Sequence, residues 1–280
     1  IVDRVAARYA ALIDGLDWAV ENRHLYNIRV VNLSVGFPLV AHQDAQGKSL
    51  LLDPLDQAIE RAHKAGLVMV AAAGNQGSAP GSMSNTPAHH PKVITVGASH
   101  PNGTPDFLGD DRVAEFSSRG PSAGKGRPDL LAPGVNIMGG NVAHSRAERH
   151  NDQALDLAHQ LSTARGSQLF ELATRIIARS GDDPALLDLP PEQLRDQLLS
   201  RLDPKPTSGF LLNGHPAYIA LHGSSMSAPI VSGIVACMLE VNPLLGPDEV
   251  KDILTGTARP LKGWDINAQG AGVVDAEAAI

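Results

Sequence analysis

The sequence contains a single cysteine, Cys237, and very few aromatic residues. One cysteine excludes an intrachain disulfide and any zinc site built from several thiolates, and it leaves the redox compartment open. Aromatic residues make up 4% of the 280 residues, whereas hydrophobic residues of all kinds make up 43%. A chain of this length can bury a large core, which must be built mainly from alanine, valine, isoleucine and leucine. The hydrophobic fraction also argues against intrinsic disorder.

An excess of positive charge is also absent. Lysine and arginine number 23 against 30 aspartates and glutamates, a formal net charge of −7. This balance gives no support for nucleic-acid binding or for adhesion to an anionic membrane. No apolar run reaches the roughly 20 residues of a membrane-spanning helix, so we expect no membrane span. The sequence begins at Ile1 without the basic stretch and apolar run of a signal peptide.

Apolar runs alternate with helical patterns through the first 100 residues. Residues 4–22 and 53–65 carry apolar side chains at helical spacing, whereas residues 28–35, 67–73 and 93–98 are short apolar runs that read as strands. Alternating strands and helices are typical of a parallel sheet with helices on its faces. The sequence therefore predicts an α/β fold with a mostly parallel sheet between layers of helices.

The composition changes between residues 145 and 202. This stretch is rich in leucine, arginine, glutamine and aspartate, and its helical periodicity is broken by glycine and proline near residues 166, 181–184 and 190–191. We predict a helical insertion at 145–202, with about three helices, inside a domain that otherwise runs from 1 to 280. Its charged faces are expected to be solvated surface.

A serine pair precedes the most apolar segment of the chain. Residues 230–241 are apolar on almost every face, which predicts a buried helix, and Pro229 is tolerated only in its first turn. Ser225 is therefore expected at the helix amino end, where unpaired N–H groups and the helix dipole favour the oxyanion of acyl transfer. A serine there is, taken alone, more often a helix cap.

Two further segments bear on this chemistry. Asn75 follows the apolar run 67–73 in a glycine-containing turn, where asparagine is usually an ordinary turn residue but can also donate its side-chain N–H to an oxyanion. The run that ends at Gly36 has an edge that could accept a peptide as an added strand.

Together these segments resemble the subtilisin-like serine proteases, the subtilases of peptidase family S8. The resemblance rests on residues 30–36 (VVNLSVG), 70–75 (VAAAGN) and 223–229 (GSSMSAP). Supporting blocks stand in the family's order at 95–98 (TVGA), 116–121 (FSSRGP), 127–134 (RPDLLAPG) and 272–276 (GVVDA). They span residues 5–140 and 220–280, nearly everything but the helical insertion. The resemblance implies a three-layer subtilisin-like fold and a serine endopeptidase acting on polypeptides.

The resemblance also implies roles for individual residues. Ser225 resembles the nucleophile, and Asn75 resembles the side-chain donor of the oxyanion hole, partnered by the backbone N–H of Ser225. The strand that pairs with the substrate peptide is implied at Ser34, Val35 and Gly36. One wall of the pocket for the residue before the cut is implied at Ala72, Ala73 and Gly74, and the far end of that pocket at Asn85.

Part of the family pattern does not occur in the sequence. The catalytic triad runs Asp, His, Ser along the chain in this family, but no Asp-Thr-Gly, Asp-Ser-Gly or His-Gly-Thr is present, and His24 and His222 are interpreted as surface and loop residues. We therefore expect a catalytic domain whose N-terminal part is missing: the intact parent is an endopeptidase, and this chain alone is essentially inactive. The alternative is a catalytically degenerate homologue that binds extended peptides without cleaving them.

Little supports a cofactor. Backbone carbonyls around residues 88–93 correspond to a weak cation site in some relatives, so structural calcium is the one metal that the resemblance allows, but no carboxylate cluster supports it. The adjacent His89 and His90 are interpreted as surface residues, not metal ligands. We expect no required cofactor.

The sequence leaves the oligomeric state and the compartment open, with secretion favoured by the resemblance alone. The insertion is interpreted either as a lid over the leaving-group side of the cleft or as a stabilising addition.

Overall fold

The chain folds into two units in the structure, a computed structural model. The first comprises Ile1–Ile137 and His222–Ile280, and the second comprises Met138–Leu221. The structure describes residues 2–38, 53–79, 81–83, 85–104, 108–120, 128–143, 145–180, 182–202, 211–212 and 215–280.

Helices and strands alternate in the first third of the chain, and most of the later residues in regular structure are helical. Up to the second unit they are α1 (Val2–Asn22), β1 (Val30–Leu33), β2 (Phe37–Pro38), α2 (Pro54–Lys64), β3 (Val68–Ala72), β4 (Asn85–Thr86), β5 (Ile94–His100), β6 (Arg112–Val113) and β7 (Leu130–Pro133). Next come β8 (Ile137–Gly140), α3 (Arg146–Thr163), α4 (Ser167–Ser180), α5 (Pro191–Leu202), β9 (Leu211–Leu212), β10 (His215–Pro216) and β11 (Tyr218–Leu221). The chain continues with α6 (Ser224–Val241), α7 (Pro247–Thr257), α8 (Ile266–Gln269) and α9 (Ala276–Ala279).

A five-stranded sheet lies at the centre of the first unit. Strand β3 pairs in parallel with β1 on one side and with β5 on the other, with Asn32 opposite Val70 and Ala71 opposite Thr95. Strand β5 also pairs in parallel with β7 and, near its end, antiparallel with β6. The sheet is mostly parallel, as the alternation of strands and helices predicts.

Helices cover both faces of this sheet. Val70 of β3 belongs to a cluster with Val231 and Val235 of α6, whereas its neighbour Met69 points into a second cluster with Leu16 of α1 and Ile59 of α2. Successive residues of a strand face opposite ways, so a strand covered on both sides is apolar throughout. The α/β prediction, with a mostly parallel sheet flanked by helices, is confirmed.

Helix α2 shows how local sequence sets the boundaries of an element. The Asp53 side chain accepts a hydrogen bond from the backbone N–H of Leu55 at 2.8 Å, and Pro54 occupies the first helical position. Both features are typical of helix amino ends. The helix ends at Lys64, and Gly66 follows in a left-handed conformation with φ of 85°, which is common for a glycine just after a helix end.

Helix α6 departs from the prediction in two respects. It buries Val231, Val235 and Met238, but Cys237 and Val241 on its other face are exposed, so burial on every face is wrong. By length and composition alone, α6 is long and apolar enough to cross a membrane. The buried core helix of a soluble protein meets the same criteria. Pro229 is the sixth helical residue and lies in the second turn, not the first.

The second unit has an apolar core of its own. Helices α3, α4 and α5 contribute Leu161, Leu172 and Leu198 to it, all three with side chains almost fully buried. These helices lie in the segment interpreted as a helical insertion, and they are separated near Gly166 and Pro190. The unit also contains the strand pairs β8 with β11 and β9 with β10.

Strand β1 forms one edge of the sheet as described, because β3 is its one partner among the described strands. A groove of about 560 Å³ runs beside it, with Ile28 and Val30 on one side and Ala236 and Leu239 of α6 on the other. Open strand edges and contiguous apolar surface are typical sites of further association. Ala236 is exposed, Ile28 and Val30 are half-buried, and Leu239 is buried.

The core assignment predicts the cost of truncating leucines. Leu55 is completely buried, so Leu55→Ala should lower the free energy of unfolding by about 2–5 kcal/mol through lost transfer energy and a cavity. The matched variant Leu244→Ala, at a side chain that is 90% exposed, should change it by less than about 0.5 kcal/mol. Urea titrations of both variants measure the difference, and equal midpoints would contradict the assignment.

The open groove predicts dye binding by the natively folded chain. ANS should fluoresce with the isolated chain, because the groove beside β1 exposes apolar side chains to it. Ala236→Asp, which adds a negative charge inside the groove, should reduce that fluorescence, whereas Ala79→Asp at an exposed position of the same unit should not. Equal fluorescence of both variants would place the dye elsewhere.

Candidate active site

Asn75 and the start of α6 are joined by hydrogen bonds across 149 residues of sequence. The Asn75 Oδ1 accepts from the backbone N–H of Ser224 at 2.9 Å and from the Ser224 hydroxyl at 3.0 Å. The Ser224 Oγ in turn accepts from the backbone N–H of Gly74 at 3.1 Å. Ser224 is completely buried, whereas Asn75 is exposed, so these bonds lie at the boundary between the interior and the solvent. The turn after β3 and the amino end of α6 therefore form one assembly.

The nitrogen of the Asn75 carboxamide has no hydrogen-bond partner among the residues that the structure describes. Because Oδ1 already accepts two bonds from Ser224, the Nδ2 group points away from that serine. Nδ2 lies 3.1 Å from the position that a Cβ on Gly223 would occupy. Gly223 has φ of 145°, a conformation that residues with a side chain rarely adopt. A glycine at 223 thus leaves room for the amide donor beside the helix start.

Ser225 is the second residue of α6 and is partly exposed. The first N–H groups of a helix have no partner within it, and they carry the positive end of the helix dipole. A negative charge that develops next to the Ser225 side chain is therefore favoured by the backbone of the same turn. The structure brings Ser225 and Asn75 to the same place, since Asn75 is bonded to the preceding residue, Ser224.

A proline and a serine fix the carbonyl of Ser225. Pro229 has no N–H, so the Ser225 carbonyl lacks the usual helical partner four residues on. It accepts instead from the Ser34 hydroxyl at 2.9 Å. Asn32 of β1 donates to the Ser34 Oγ at 2.9 Å and accepts from the Ser232 hydroxyl at 3.1 Å. This polar chain ties the end of β1 to α6.

The predicted substrate-pairing residues lie just beyond β1. Ser34, Val35 and Gly36 are outside the described strands, and Val35 and Gly36 are exposed. Strand β2 then pairs antiparallel with β4, which sets Pro38 opposite Asn85. Backbone that is exposed and outside a ladder can pair with an added peptide strand.

Asn85 lies between two glycines of the predicted pocket. Its Nδ2 is 3.1 Å from the position of a Cβ on Gly36 and 2.7 Å from that on Gly74. The same Nδ2 donates to the carbonyl of Ala73 at 3.3 Å, while the buried Oδ1 has no partner within the described part of the chain. The structure thus groups Gly36, Gly74 and Asn85. Any side chain larger than glycine at position 74 would overlap this amide.

The other two predicted wall residues have buried side chains. Ala72 is 4% exposed and Ala73 is fully buried, and Ala72 belongs to the core cluster on the α6 side of the sheet. Their methyl groups pack in the protein interior, so a pocket at this place would have their backbone for its wall. Ala73 contributes its carbonyl, which accepts from Asn85.

His90 is buried, which corrects its interpretation as a surface residue, whereas His89 is half-buried. His90 is 7% exposed and lies 3.6 Å from a carboxylate oxygen of Glu60, and His89 lies 3.4 Å from one of Asp56. The hydrogen-bonded Asp56 carboxylate raises the pKa of His89, whereas burial lowers the pKa of His90. These contacts join His89 and His90 to α2.

Two other histidines have positions compatible with the sequence interpretation. His24 is exposed just after α1. His222 accepts, through Nδ1, from the backbone N–H of Asn136 at 3.0 Å. In the described ranges no group of three or more His, Cys, Asp or Glu side chains is arranged to hold a metal ion.

Sequence reasoning did not predict the contacts of three residues that shape this site. Ser224 of the serine pair holds Asn75, and Ser34, predicted in the strand that pairs with substrate, donates its hydroxyl to the Ser225 carbonyl. Gly223 is needed for its positive φ. The available signals were the glycine and the hydroxyl directly before Ser225, and the proline four residues after it.

Known proteins of one family match nearly the whole chain. The model of the subtilase family, peptidase S8, matches residues 6–272. The serine protease AprX of Bacillus subtilis is 32% identical over 279 residues, which are 97% of this chain and 48% of that protein. Subtilisin E of Bacillus subtilis is 34% identical over 135 residues, covering 48% of this chain and 28% of that protein. The match thus covers about half the length of AprX and less than a third of the length of subtilisin E.

Solved structures show the same fold. The keratinolytic enzyme fervidolysin from Fervidobacterium pennivorans, related to subtilisin, superposes with a TM-score of 0.54 at 25% identity, over 95% of this chain and 28% of that one. The prenylagaramide maturation protease PagA superposes with a TM-score of 0.55 at 20% identity, over 96% of this chain and 66% of that one, and shows the fold alone. The family match extends over nearly the whole chain, and the chain belongs to the subtilase family.

Proposed function

We propose that this chain provides the nucleophile, Ser225, and the side-chain oxyanion donor, Asn75, of a serine endopeptidase. The observation that carries the proposal is the pair of hydrogen bonds from Ser224 to the Asn75 Oδ1. They leave the amide nitrogen as the available donor, next to the helix turn that bears Ser225. A helix cap would explain Ser225 alone and a turn residue would explain Asn75 alone, but neither explains why Asn75 is bonded to the residue just before Ser225.

In the proposed reaction, Ser225 Oγ attacks the carbonyl carbon of the scissile peptide and loses its proton to a general base. The carbonyl oxygen takes up the electron pair and becomes an oxyanion, which the Asn75 Nδ2 and the Ser225 backbone N–H stabilise. The tetrahedral intermediate then collapses: the carbon–nitrogen bond breaks, the base protonates the leaving amine, and an acyl-serine remains. In the second half of the reaction, water gives its proton to the base and attacks the acyl carbon. The bond to Ser225 Oγ then breaks, and the base returns the proton to that oxygen.

The general base and its carboxylate partner are proposed to come from residues outside this sequence. The family motifs that carry them, with Asp-Thr-Gly or Asp-Ser-Gly and His-Gly-Thr, do not occur in it. Among the described residues, His63 contacts Asp248, His89 contacts Asp56 and His90 contacts Glu60, and none of these contacts involves Ser225. A serine without a general base is a weak nucleophile, so we expect the isolated chain to have almost no peptide-hydrolysing activity.

The substrate is proposed to lie along residues 34–36 as an added strand. Val35 and Gly36 are exposed there, and Gly36 faces Asn85. The slot between Gly36 and Gly74, with Asn85 at its end and the backbone of Ala72 and Ala73 at its wall, is proposed to take the side chain before the cut. The same surface would serve the alternative function, in which extended peptides bind without cleavage.

Fluorophosphonate labelling tests the proposal and separates the alternatives. The full-length gene product should be labelled at Ser225 and should hydrolyse casein, and Ser225→Ala should abolish both. The isolated chain should react with the probe far more slowly, because it lacks the base.

Two outcomes would contradict this proposal. Rapid labelling and normal peptide hydrolysis by the isolated chain would show that the base lies within it. A folded full-length product that binds extended peptides but is never labelled at Ser225 would establish the binding function in place of the enzyme.

The amide geometry predicts graded losses of activity in the full-length product. Asn75→Ala should lower kcat by about 10²–10³, the magnitude known from subtilisin for removal of an oxyanion donor. Ser224→Ala should lower kcat by about tenfold with little change in KM, because the amide loses one hydrogen bond that orients it.

Two control variants accompany this measurement. Ser224→Thr keeps the hydroxyl and should retain most of the activity, and Ser162→Ala removes an exposed hydroxyl of α3 and should change nothing. A Ser224→Ala enzyme with unchanged kcat would contradict the positioning role of that hydroxyl.

A further inference from the structure

Three oxygen atoms from two separate segments converge on the ammonium group of Lys251 in α7. The Lys251 Nζ lies 3.0 Å from the carbonyl oxygen of Pro91 and 2.8 Å from that of Val93. It also lies 2.8 Å from a carboxylate oxygen of Asp129. A lysine ammonium has three N–H donors, and each has an acceptor here. These oxygens of Pro91, Val93 and Asp129 form an oxygen cage around the ammonium group.

The oxygen cage is held in place by its own contacts. The same Asp129 oxygen accepts from the backbone N–H of Thr95 at 2.8 Å, and the Asp129 backbone N–H donates to the Thr95 carbonyl at 2.8 Å. The side chains of Lys251 and Asp129 are only 21% and 23% exposed. Val93 is completely buried. The oxygens therefore keep their positions through the sheet and not only through the lysine.

Two carbonyls and one carboxylate are the kind of ligands that a hard cation takes. The resemblance to the family implies a weak cation site at the carbonyls around residues 88–93. A metal ion does not fit here, because calcium would need to lie about 2.3–2.6 Å from oxygens that the ammonium already occupies. Two cations on one set of oxygens would also repel each other.

We propose that the Lys251 ammonium is the built-in cation of the oxygen cage, in place of a metal ion, and that removing it converts the cage into a calcium site. The lysine is covalently attached to α7, so the cage stays filled whatever the concentration of ions around it. In this arrangement the segment that leads to Val93 is tied to α7 and to the start of β7. It needs no dissolved ion for its position.

The test compares melting temperatures in a chelator and in millimolar calcium chloride. The parent chain should melt at the same temperature in both. Lys251→Ala should melt about 5–10 °C lower in the chelator, because a charged hydrogen-bonded group is lost and a carboxylate is left unpaired. Calcium should restore most of that loss, and magnesium, which prefers a smaller octahedral site, should restore less.

Two control variants make this comparison specific. Adding Asp129→Asn to Lys251→Ala should abolish the calcium response, because the one anionic ligand of the cage is gone. Lys92→Ala, which removes a nearby ion pair with Asp248, should show no calcium response. A Lys251→Ala variant that calcium stabilises no more than Lys92→Ala would overturn the proposal. So would a parent chain stabilised by calcium in a manner that depends on Asp129.

A measurement on the unmodified chain covers the case in which the variant does not fold. Lysine acylation followed by mass spectrometry should find Lys251 about tenfold or more slower to react than the exposed Lys64 and Lys262, since its amine must first leave three hydrogen bonds. Lys251 reacting as fast as Lys64 would contradict the proposal.

Discussion

The pair of hydrogen bonds that Asn75 accepts from Ser224 is the interaction on which the rest of the site depends. It connects the carboxyl end of a central parallel strand with the amino end of the helix that covers it. Loops at the carboxyl ends of parallel strands are where α/β folds place their binding sites. Because Ser224 is buried, breaking these bonds would leave polar groups without partners in the interior. One contact thus sets both the orientation of the amide and the place where α6 begins.

Pro229 also shapes the start of α6, because it cannot donate a backbone hydrogen bond. A proline within a helix usually weakens it, because the carbonyl four residues earlier loses its partner. Here that carbonyl belongs to Ser225, and the Ser34 hydroxyl takes the place of the missing N–H. The helix therefore keeps its second turn, and the residue after β1 is anchored directly behind the candidate nucleophile. The local defect in the helix becomes a link between the helix and the sheet.

Sequence reasoning reached the strands and the layers but not the contacts between distant segments. Strand β3 was recognisable because a parallel strand covered on both faces is apolar throughout, as the run ending at Ala72 shows. The exposure of Cys237 was missed because an apolar composition reports which face can be buried, not whether something covers it. The burial of His90 was missed because its neighbour Glu60 is thirty residues away, on a helix. Periodicity carries no information about such partners.

The oxygen cage and the candidate pocket lie at the two ends of one segment. Asn85, between Gly36 and Gly74, begins it, and Val93, bonded to Lys251, ends it. Between them the Thr95 hydroxyl donates to the carbonyl of Ala88 at 2.6 Å. A dissolved cation would hold the far end only at sufficient ion concentration, whereas an ammonium on the same chain is present at a fixed, high local concentration. The position of the segment that carries Asn85 is therefore coupled to the folding of α7 and not to the ionic composition of the surroundings.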